Sequence, residues 1–425
     1  MANSQKIVHL VRRFVFKEWG STETVIWNSV LGLLKKGNAC SIISTSALDK
    51  PGNEVKENCL IQRHDYFYPR LGLDKKKSNI FDKKGGNPYS YSLFQNLVNE
   101  SCRIIHCHSM QRVASMARLA AKIKKVPYVI TLHGGLFSVP QSEINDMALP
   151  LKGTFNYGKV IDLLTRPDRI LRDANGIICI GYDEFLAVKK AFPLKPSIYL
   201  PNGVNIQHFR SEIPNTFKAK FDIPQGRKII LCVSRIDTQK NQLALVELLN
   251  DLNNHEHSHT YHLVLVGAVT SDEYLKKIES TVRHYDLQSQ FTLVPGLAPL
   301  SDDLVNAYRS ADTFILPSVH EPFGVVILEA WATGLPVIVS RIGGLAELVD
   351  DNRTGKHFNP YKAKSLFNAF TSLTLNPVQK EKLIKNSHLE VETKYSWNSY
   401  TKRLLNFYEN VESCYNSRRL SSLQA

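Results

Sequence analysis

The sequence has no long apolar run and few features of a secreted or membrane-spanning chain. No stretch approaches the roughly 20 apolar residues that a helix needs to cross a bilayer. The N-terminus passes almost directly into the strand-like run from Ile7 to Val11, so we expect no signal peptide. The seven cysteines, an odd number without a C-x-x-C pair, indicate reduced thiols rather than a disulfide framework. Together these absences favour a cytoplasmic protein.

Two short motifs are also missing, and each absence argues against one class of site. No G-x-G-x-x-G follows the first strand, which argues against an enzyme that binds a nicotinamide cofactor. No Asp-x-Asp occurs in the chain, so no such carboxylate pair is present to hold a divalent cation. We therefore expect a site that works without a metal and without an organic cofactor.

Positive charge is concentrated in the first half of the chain. Residues 1–205 contribute +13 of the net charge of +14, from 29 Lys and Arg against 16 Asp and Glu. Such an excess favours an anionic partner, which is a membrane surface, a lipid phosphate or a nucleic acid. A basic surface that only keeps the protein soluble is the alternative interpretation.

Short apolar strands alternate with helical patterns along the whole chain. The 425 residues suit two domains, and the contents of 43% hydrophobic and 22% charged residues are those of a globular protein. The alternation predicts an α/β fold with two doubly wound Rossmann-like domains that face a cleft. We place the domains at residues 1–205 and 206–394, followed by a helix over 395–415 and a tail over 416–425.

The stretch from Ser318 to Ser340 carries the clearest chemical pattern. It reads as the end of a buried strand, a tight turn, a helix that begins at Val325 and a second buried strand. In doubly wound sheets, ligands bind beyond the carboxyl ends of the strands. Glu321 would lie at that edge, and Glu329 about one turn inside the helix.

The start of that helix is a second feature of the same stretch. Around Phe323, Gly324 and Val325 the backbone presents free N–H groups and the positive end of the helix dipole, which suits a phosphate. One of the two acids can then accept hydrogen bonds from a sugar and the other from a ribose. A solvated loop acid and a helix-surface acid are the alternative interpretation.

Two cations precede this stretch. Arg235 leaves a predicted strand, Lys228 to Ser234, and Lys240 stands where the next helix begins. A guanidinium and an ammonium at that position suit a diphosphate, because one binds oxygen pairs in a planar fork and the other acts as a point charge. As two isolated cations they would be weak evidence.

The two acids and the glycines that follow them resemble the signature of a known enzyme family. Glu321, seven residues, Glu329, the segment Gly334 to Ile338 and the pair Gly343–Gly344 are similar to retaining glycosyltransferases of the GT-B fold, family 4 (group 1). The resemblance implies that Glu321 contacts the donor sugar near the reacting centre and that Glu329 binds the nucleotide ribose.

The resemblance also covers the cations, the helix over 395–415 and the loops that frame a nucleotide. Arg235 and Lys240, in the pattern Ser-Arg-x-x-x-x-Lys-Asn, resemble the phosphate-binding pair of the family. Pro295 and Gly296 are then candidates for contacts with the nucleobase. The last helix is expected to cross back onto the first domain.

The same resemblance implies that residues of the first domain belong to the expected site. Gly20 and Ser21 stand where the family usually has two adjacent glycines near the diphosphate or the acceptor. His133, in its His-Gly context, is implied as an active-site residue near the donor sugar, with His108 close by. A zinc set of His106, His108 and His133 is an alternative that we consider, because histidines are common zinc ligands.

The expected function is the transfer of a sugar from a nucleoside diphosphate sugar to an acceptor hydroxyl, with retained anomeric configuration. The basic first half favours an enzyme at the inner face of a membrane that takes a saccharide or lipid-linked saccharide in lipopolysaccharide, capsule or other surface glycan synthesis. The alternatives are a sugar phosphorylase or epimerase on the same fold, and a non-catalytic basic protein that binds nucleic acid or a membrane. We expect no nucleic-acid partner, because such binding does not explain the acids and glycines between Glu321 and Gly344.

Overall fold

The structure, a computed structural model, describes residues 6–17, 20–133, 154–256, 260–298, 301–321 and 323–424. The chain forms two compact units, one of residues 1–201 together with 400–425 and one of residues 202–399. Our predicted boundary at residue 205 therefore differs by four residues from that division. Within the described residues, no helix has the length and apolar character that crossing a membrane requires.

The first unit is built on a mostly parallel sheet in the order β10-β9-β7-β6-β1-β2-β4-β3, where only β3 runs antiparallel to its neighbour. The first five residues of β1 and all six of β2 are buried, as expected of parallel strands that are covered on two faces. A separate pair joins β5 to β8. The strands are β1 (Ile7–Arg13), β2 (Cys40–Thr45), β3 (Gly52–Lys56), β4 (Cys59–His64), β5 (Arg70–Leu71), β6 (Ile104–Cys107), β7 (Tyr128–Leu132), β8 (Phe155–Asn156), β9 (Gly176–Cys179) and β10 (Ser197–Tyr199).

Helices connect these strands. In α4, small side chains such as Ala114 and Ala117 are fully buried, which lets the helix lie close to the sheet. The helices of the first unit are α1 (Ser21–Lys35), α2 (Lys75–Lys84), α3 (Tyr91–Asn99), α4 (Gln111–Lys124), α5 (Gly158–Thr165), α6 (Ile170–Asp173) and α7 (Tyr182–Ala191).

The second unit has a parallel sheet in the order β13-β12-β11-β14-β15-β16. Its strands are β11 (Lys228–Val233), β12 (Tyr261–Val266), β13 (Phe291–Val294), β14 (Thr313–Leu316), β15 (Val337–Ser340) and β16 (Lys356–Phe358). Its helices are α8 (Ile206–Phe209), α9 (Phe217–Lys220), α10 (Leu243–Glu256), α11 (Asp272–His284), α12 (Asp302–Ser310), α13 (Val325–Ala332), α14 (Gly343–Leu348), α15 (Ser365–Thr374) and α16 (Pro377–Lys394). The strand order reverses direction between β11 and β14, which is where a doubly wound sheet binds ligands.

The last helix, α17 (Trp397–Gln424), belongs to the first unit from Tyr400 onward. A Cβ atom on Gly32 of α1 would lie 2.1 Å from Thr401 Oγ1, so only glycine allows α17 to lie this close. Our prediction of a separate tail over 416–425 was wrong, because the helix continues to Gln424. The sequence from 397 to 424 contains neither glycine nor proline, so nothing in it interrupts the helix.

Candidate functional site

A partly buried ion pair of the second unit joins a predicted cation to a predicted acid. Lys240 Nζ lies 2.6 Å from Glu321 Oε2, and the two side chains are only 11% and 16% exposed. Lys240 follows β11 and Glu321 follows β14, so the neighbouring strand ends bring them together. Partial burial strengthens the attraction relative to a surface pair, since less water screens the charges.

The backbone that carries Lys240 is fixed by local hydrogen bonds. Residues Thr238–Lys240 form a single 3-10 turn, which the Asp237 carboxylate caps by accepting from the Lys240 backbone N–H at 3.1 Å. The buried Gln242 amide donates to Ser234 Oγ at 2.9 Å and to the Arg235 carbonyl at 2.7 Å. These bonds hold both ends of the segment that follows β11.

Arg235 is more exposed than Lys240. Its guanidinium donates to Gln239 Oε1 at 3.1 Å and lies 3.5 Å from Asp237 Oδ2, and its side chain is 56% exposed. The two predicted cations therefore flank Asp237, but only Lys240 contacts Glu321. An exposed guanidinium of this kind can bind an anion without losing a buried partner.

Glu321 precedes the turn at Phe323 and Gly324 that leads into α13. The Glu321 carbonyl accepts a hydrogen bond from the Gly344 N–H at 3.1 Å, which ties the turn to the start of α14. Gly324 has a φ of +90°, in the left-handed region, and a Cβ atom there would lie 2.8 Å from Leu345 Cδ2. Glycine is therefore required at Gly324 for two reasons. Phe323 is buried and Val325 begins the helix.

Glu329 lies on α13 and has a partner that the sequence did not reveal. Burial raises the pKa of Glu329 to about 7, although a hydrogen bond from the Tyr308 hydroxyl to Glu329 Oε2 at 2.7 Å acts in the opposite direction. Tyr308 is fully buried on α12, 21 residues earlier in the chain. No spacing in the sequence links these two helices, so this contact could not be predicted.

The loop predicted to frame a nucleobase follows β13. Pro295 and Gly296 are exposed, and Gly296 has a φ of +101°. Within the described part of the chain, no hydrogen bond joins either residue to Lys240, Glu321 or Glu329. Their predicted role therefore stays a prediction.

In the first unit, the predicted Gly20–Ser21 pair marks the start of α1. Gly20 is the N-cap residue in an extended conformation, and its carbonyl accepts from the Thr24 N–H at 3.0 Å. Ser21 is the first residue of the helix, and its side chain lies outside what the structure describes. A Cβ atom on Gly20 would lie 3.0 Å from Glu23 Oε2, so the glycine leaves room for that buried carboxyl group.

The predicted histidines lie together, with one addition. His108 Nδ1 is 3.2 Å from His133 Nε2, and His108 Nε2 is 3.0 Å from Nδ1 of His9, which the sequence analysis had not singled out. His9 and His106 stand opposite each other in the β1–β6 ladder. The only signal for His9 was a polar residue inside the apolar run of the first strand.

Among the residues described, one group of three histidines has ring nitrogens within 4.8 Å of one another, namely His9, His106 and His108. This group differs from the zinc set of His106, His108 and His133 that we considered. Both His106 nitrogens already bind hydroxyl groups at 2.6 Å, those of Tyr408 and Thr131. Both His108 nitrogens face other histidines. A metal ion would have to replace several of these hydrogen bonds.

Comparison with known proteins connects this site to an enzyme family. Residues 215–390 match the family model described as glycosyl transferases group 1. An uncharacterized glycosyltransferase of Methanocaldococcus jannaschii is 28% identical over 319 residues, which are 72% of this chain and 75% of that protein. The UDP-Gal:alpha-D-GlcNAc-diphosphoundecaprenol alpha-1,3-galactosyltransferase of Escherichia coli is 28% identical over 293 residues, or 67% of this chain and 69% of the relative.

A solved structure supports the fold over nearly the whole chain. The crystal structure of a glycosyltransferase from Rickettsia africae superposes with a TM-score of 0.70 at 21% identity. The match covers 96% of this chain and 99% of that one. The similarity therefore extends beyond the segment matched by the family model and includes both units.

Proposed function

Because this chain belongs to the family of glycosyl transferases group 1, we propose that it moves a sugar from a nucleoside diphosphate sugar to an acceptor hydroxyl with retention of anomeric configuration. The observation that carries the proposal is the 2.6 Å contact between Lys240 and Glu321 at neighbouring strand ends. In this contact Lys240 is the cation that would bind the leaving diphosphate, and Glu321 is the carboxylate that would accept hydrogen bonds from the sugar hydroxyls.

Lys240 and Arg235 would bind the diphosphate. The Lys240 ammonium has three N–H donors, so it can keep Glu321 and still donate to phosphate oxygens. Arg235, which is exposed, adds a planar fork for a second pair of oxygens. Fixed cations in a partly buried site stabilise the charge that develops on a leaving group, which is the largest electrostatic contribution to catalysis available here.

Glu329 would accept hydrogen bonds from the ribose hydroxyls. The hydroxyl of Tyr308 occupies Oε2, which fixes the carboxylate and leaves Oε1 as an acceptor. The Escherichia coli relative is named for the donor UDP-Gal, and a nucleoside diphosphate sugar is the donor class we propose for this chain.

We propose that retention comes from front-face attack, which needs no covalent intermediate on Glu321. Because Lys240 holds this carboxylate, we assign Glu321 to position the sugar and not to form a covalent bond with it. The bond from the anomeric carbon to the diphosphate oxygen breaks, and the bond to the acceptor oxygen forms on the same face. The acceptor proton moves to the departing phosphate oxygen. Arg235, Lys240 and the start of α13 supply the positive charge, so we propose that no metal takes part.

The acceptor we propose is a saccharide or a lipid-linked saccharide of a surface glycan, such as lipopolysaccharide or capsule. An open cleft of about 640 Å³ in the first unit has a lining that suits a sugar. The Tyr66 ring lines the cleft and its hydroxyl donates to Asp82 at 2.7 Å, while Lys56 Nζ lies 4.0 Å from the centroid of the Phe16 ring. Arg63, which also lines the cleft, is paired with Glu54 at 2.9 Å, so the cleft is polar with much of its charge compensated.

We further propose that the first unit contacts an anionic membrane from the cytoplasmic side. Large apolar side chains are exposed on and next to α5, namely Phe155 at 68%, Val160 at 67%, Leu163 at 74% and Leu164 at 74%. We call these four residues the α5 patch. Exposed leucines with a basic background are typical of a segment that inserts into a lipid interface, and residues 1–205 carry a net charge of +13.

Replacing Leu163 and Leu164 together by glutamate should reduce binding to phosphatidylglycerol vesicles at least tenfold, since burying each leucine contributes about 1.5–3 kcal/mol. Cosedimentation with vesicles of phosphatidylglycerol and of phosphatidylcholine measures the change. The matched control is Leu375→Glu, because Leu375 is 82% exposed in the second unit. Equal binding by the double variant and the control would contradict membrane contact through the α5 patch.

The donor site is tested by calorimetric titration of the whole chain with UDP, GDP and ADP and their sugars. We expect one nucleotide to bind selectively, and binding to be lost in Arg235→Ala/Lys240→Ala because both diphosphate cations are gone. A folded protein that binds none of these nucleotides would refute the transferase proposal for this site.

The same titration should depend on pH through Glu329. The carboxyl group is mostly protonated at pH 6 and mostly ionised at pH 8, because its pKa is about 7. Only the ionised form accepts strong charge-assisted hydrogen bonds, so we expect the nucleotide Kd to fall about tenfold between these values. Glu329→Gln should remove this dependence. Tyr308→Phe should move its midpoint to higher pH, since the hydrogen bond that lowers the pKa is lost. A slope that persists in Glu329→Gln would assign it to another group.

A further inference from the structure

Three imidazole rings form one hydrogen-bonded row in the first unit. His9 Nδ1 lies 3.0 Å from His108 Nε2, and His108 Nδ1 lies 3.2 Å from His133 Nε2. We call these three residues the histidine row. His9 is fully buried and His108 is 4% exposed, whereas His133 is only half-buried at the end of β7. The row therefore has one sealed end and one end near the surface of the unit.

Each ring of the histidine row carries one proton at neutral pH. Burial lowers the pKa of His9 to about 3 and that of His133 to about 4, and it lowers the pKa of His108 well below its usual value. A neutral imidazole has one N–H donor and one acceptor nitrogen. Two N···N contacts in series then allow only two ordered states, with all three protons on Nδ1 or all three on Nε2.

The sealed end decides between these states. His9 Nε2 is buried and has no hydrogen-bond partner among the residues that the structure describes. In the Nε2 state this atom would be a buried N–H donor without an acceptor, and in the Nδ1 state a bare acceptor. Buried N–H groups without acceptors are rarer than under-satisfied acceptors, at least for backbone groups. The Nδ1 state is therefore the more stable one.

We infer that the histidine row holds His133 in the tautomer with its proton on Nδ1, and that His108 and His9 are positioning residues for it. His9 Nδ1–H donates to His108 Nε2, His108 Nδ1–H donates to His133 Nε2, and the His133 Nδ1–H is left to donate to a substrate. The tautomer is a property of the free protein. The identity of the ligand that accepts from His133 Nδ1–H rests on the proposed function.

This assignment specifies the ligand chemistry of His133. A fixed Nδ1–H donates to an oxygen lone pair of a sugar substrate, and it cannot accept a proton from a sugar hydroxyl. It also changes the expected role of His108. Both His108 nitrogens are occupied by other rings, so His108 acts through His133 rather than by touching the substrate.

His106 lies outside this row although it is close to it. The His106 and His108 ring centroids are 3.9 Å apart, but the His106 nitrogens bind Tyr408 and Thr131. Its tautomer is therefore set by two hydroxyl groups that can each donate or accept. It does not constrain the proton on His133.

The tautomer is read directly by long-range ¹H–¹⁵N spectra of the full chain labelled with ¹⁵N-histidine, with His133→Gln identifying the His133 signals. We expect the His133 nitrogens to show a single Nδ1–H tautomer. In His108→Leu the row is cut, so we expect mixed tautomers. In His108→Asn the side-chain amide nitrogen replaces Nδ1 as the donor, so we expect the single tautomer to return.

Activity gives an independent readout of the same variants. We expect kcat/KM for the sugar donor to fall about tenfold in His108→Leu, the value of one neutral hydrogen bond, and to recover most of that loss in His108→Asn. The matched control is His262→Leu. His262 is also a buried histidine, with a 2.8 Å contact to Thr292 in the second unit, and its loss should leave the His133 spectrum unchanged.

Several outcomes would overturn the inference. A wild-type His133 with its proton on Nε2, or with mixed tautomers, contradicts it whether or not the protein transfers sugar. The inference is also contradicted if the purified protein holds one equivalent of zinc that is lost in His9→Leu. A metal ion would bind the nitrogen lone pairs that accept the hydrogen bonds of the histidine row. The expected tautomer in a folded protein that transfers no sugar from any donor would leave the inference standing and refute the proposed function.

Discussion

Alanine in place of Lys240 is expected to lower kcat/KM for sugar transfer by about a thousandfold. The change removes the cation that would face the leaving diphosphate, and loss of one such stabilising group typically costs a factor of 10² to 10³. It also leaves Glu321, 2.6 Å away in the native protein, without its ionic partner. Initial rates with a radiolabelled donor measure the effect on protein whose fold is verified by circular dichroism.

The control for this change is Lys220→Ala. Lys220 Nζ also lies within ion-pair distance of a carboxylate, 2.5 Å from Asp303 in the same unit, but its side chain is 52% exposed. We expect its loss to leave transfer within about twofold, since surface ion pairs contribute little. If Lys240→Ala lost no more activity than this control, the proposed role of the Lys240–Glu321 pair would be wrong.

Removing both members of the pair tests whether they act as a unit. We expect Lys240→Ala/Glu321→Ala to be little worse than the more damaging single change, because each residue positions the other. Strictly multiplied losses would indicate that the cation and the carboxylate work independently. A double variant little worse than the more damaging single variant would fit a Lys240–Glu321 pair that acts as one unit, as their contact indicates.

Alanine in place of Gly267 should destabilise the protein by about 3 kcal/mol and weaken nucleotide binding as well. A Cβ atom at Gly267 would lie 1.7 Å from the Ser234 carbonyl oxygen and 3.3 Å from the Arg235 backbone nitrogen. The neighbour is backbone and not the tip of a flexible side chain, so β11 or β12 must shift. Either shift displaces the segment that carries Arg235.

Denaturant unfolding and nucleotide titration of the same samples separate the two effects. The matched control is Gly226→Ala, also in the second unit, where no heavy atom of the described residues, apart from the two chain neighbours, lies within 4 Å of the added Cβ. We expect that control to change the free energy of unfolding by less than about 0.5 kcal/mol. Equal stability for both variants would mean that the ends of β11 and β12 adjust without cost.

The sequence was sufficient for the fold class, whereas the roles of the predicted site residues stay predictions. Alternating apolar strands and helices predicted two α/β units with parallel sheets, and the GT-B class is confirmed by the structure and by its similarity to solved glycosyltransferases. The proximity of Lys240 and Glu321 agrees with their places in the sequence, because each lies in the segment that follows a strand of the same sheet. The carboxyl ends of parallel strands meet at one edge, so sequence position translates into proximity.

Contacts between distant elements were not predictable in the same way. Tyr308 and Glu329 meet because α12 packs near α13, and the register of that packing depends on side-chain shapes rather than on spacing. His9 joins His108 through the order of strands in the sheet, which a single sequence does not specify. The helix beyond residue 415 was missed because its polar surface resembles that of a tail, although nothing in it ends a helix.

The contribution of α17 to the first unit has a consequence for synthesis on the ribosome. Residues 202–399 are continuous in the chain, whereas the first unit needs residues from both ends. Tyr408, whose hydroxyl binds His106 at 2.6 Å, is made about 300 residues after its partner. Until then β6 has a buried histidine without that hydrogen bond. The part of the protein that is made first is therefore the part that is completed last.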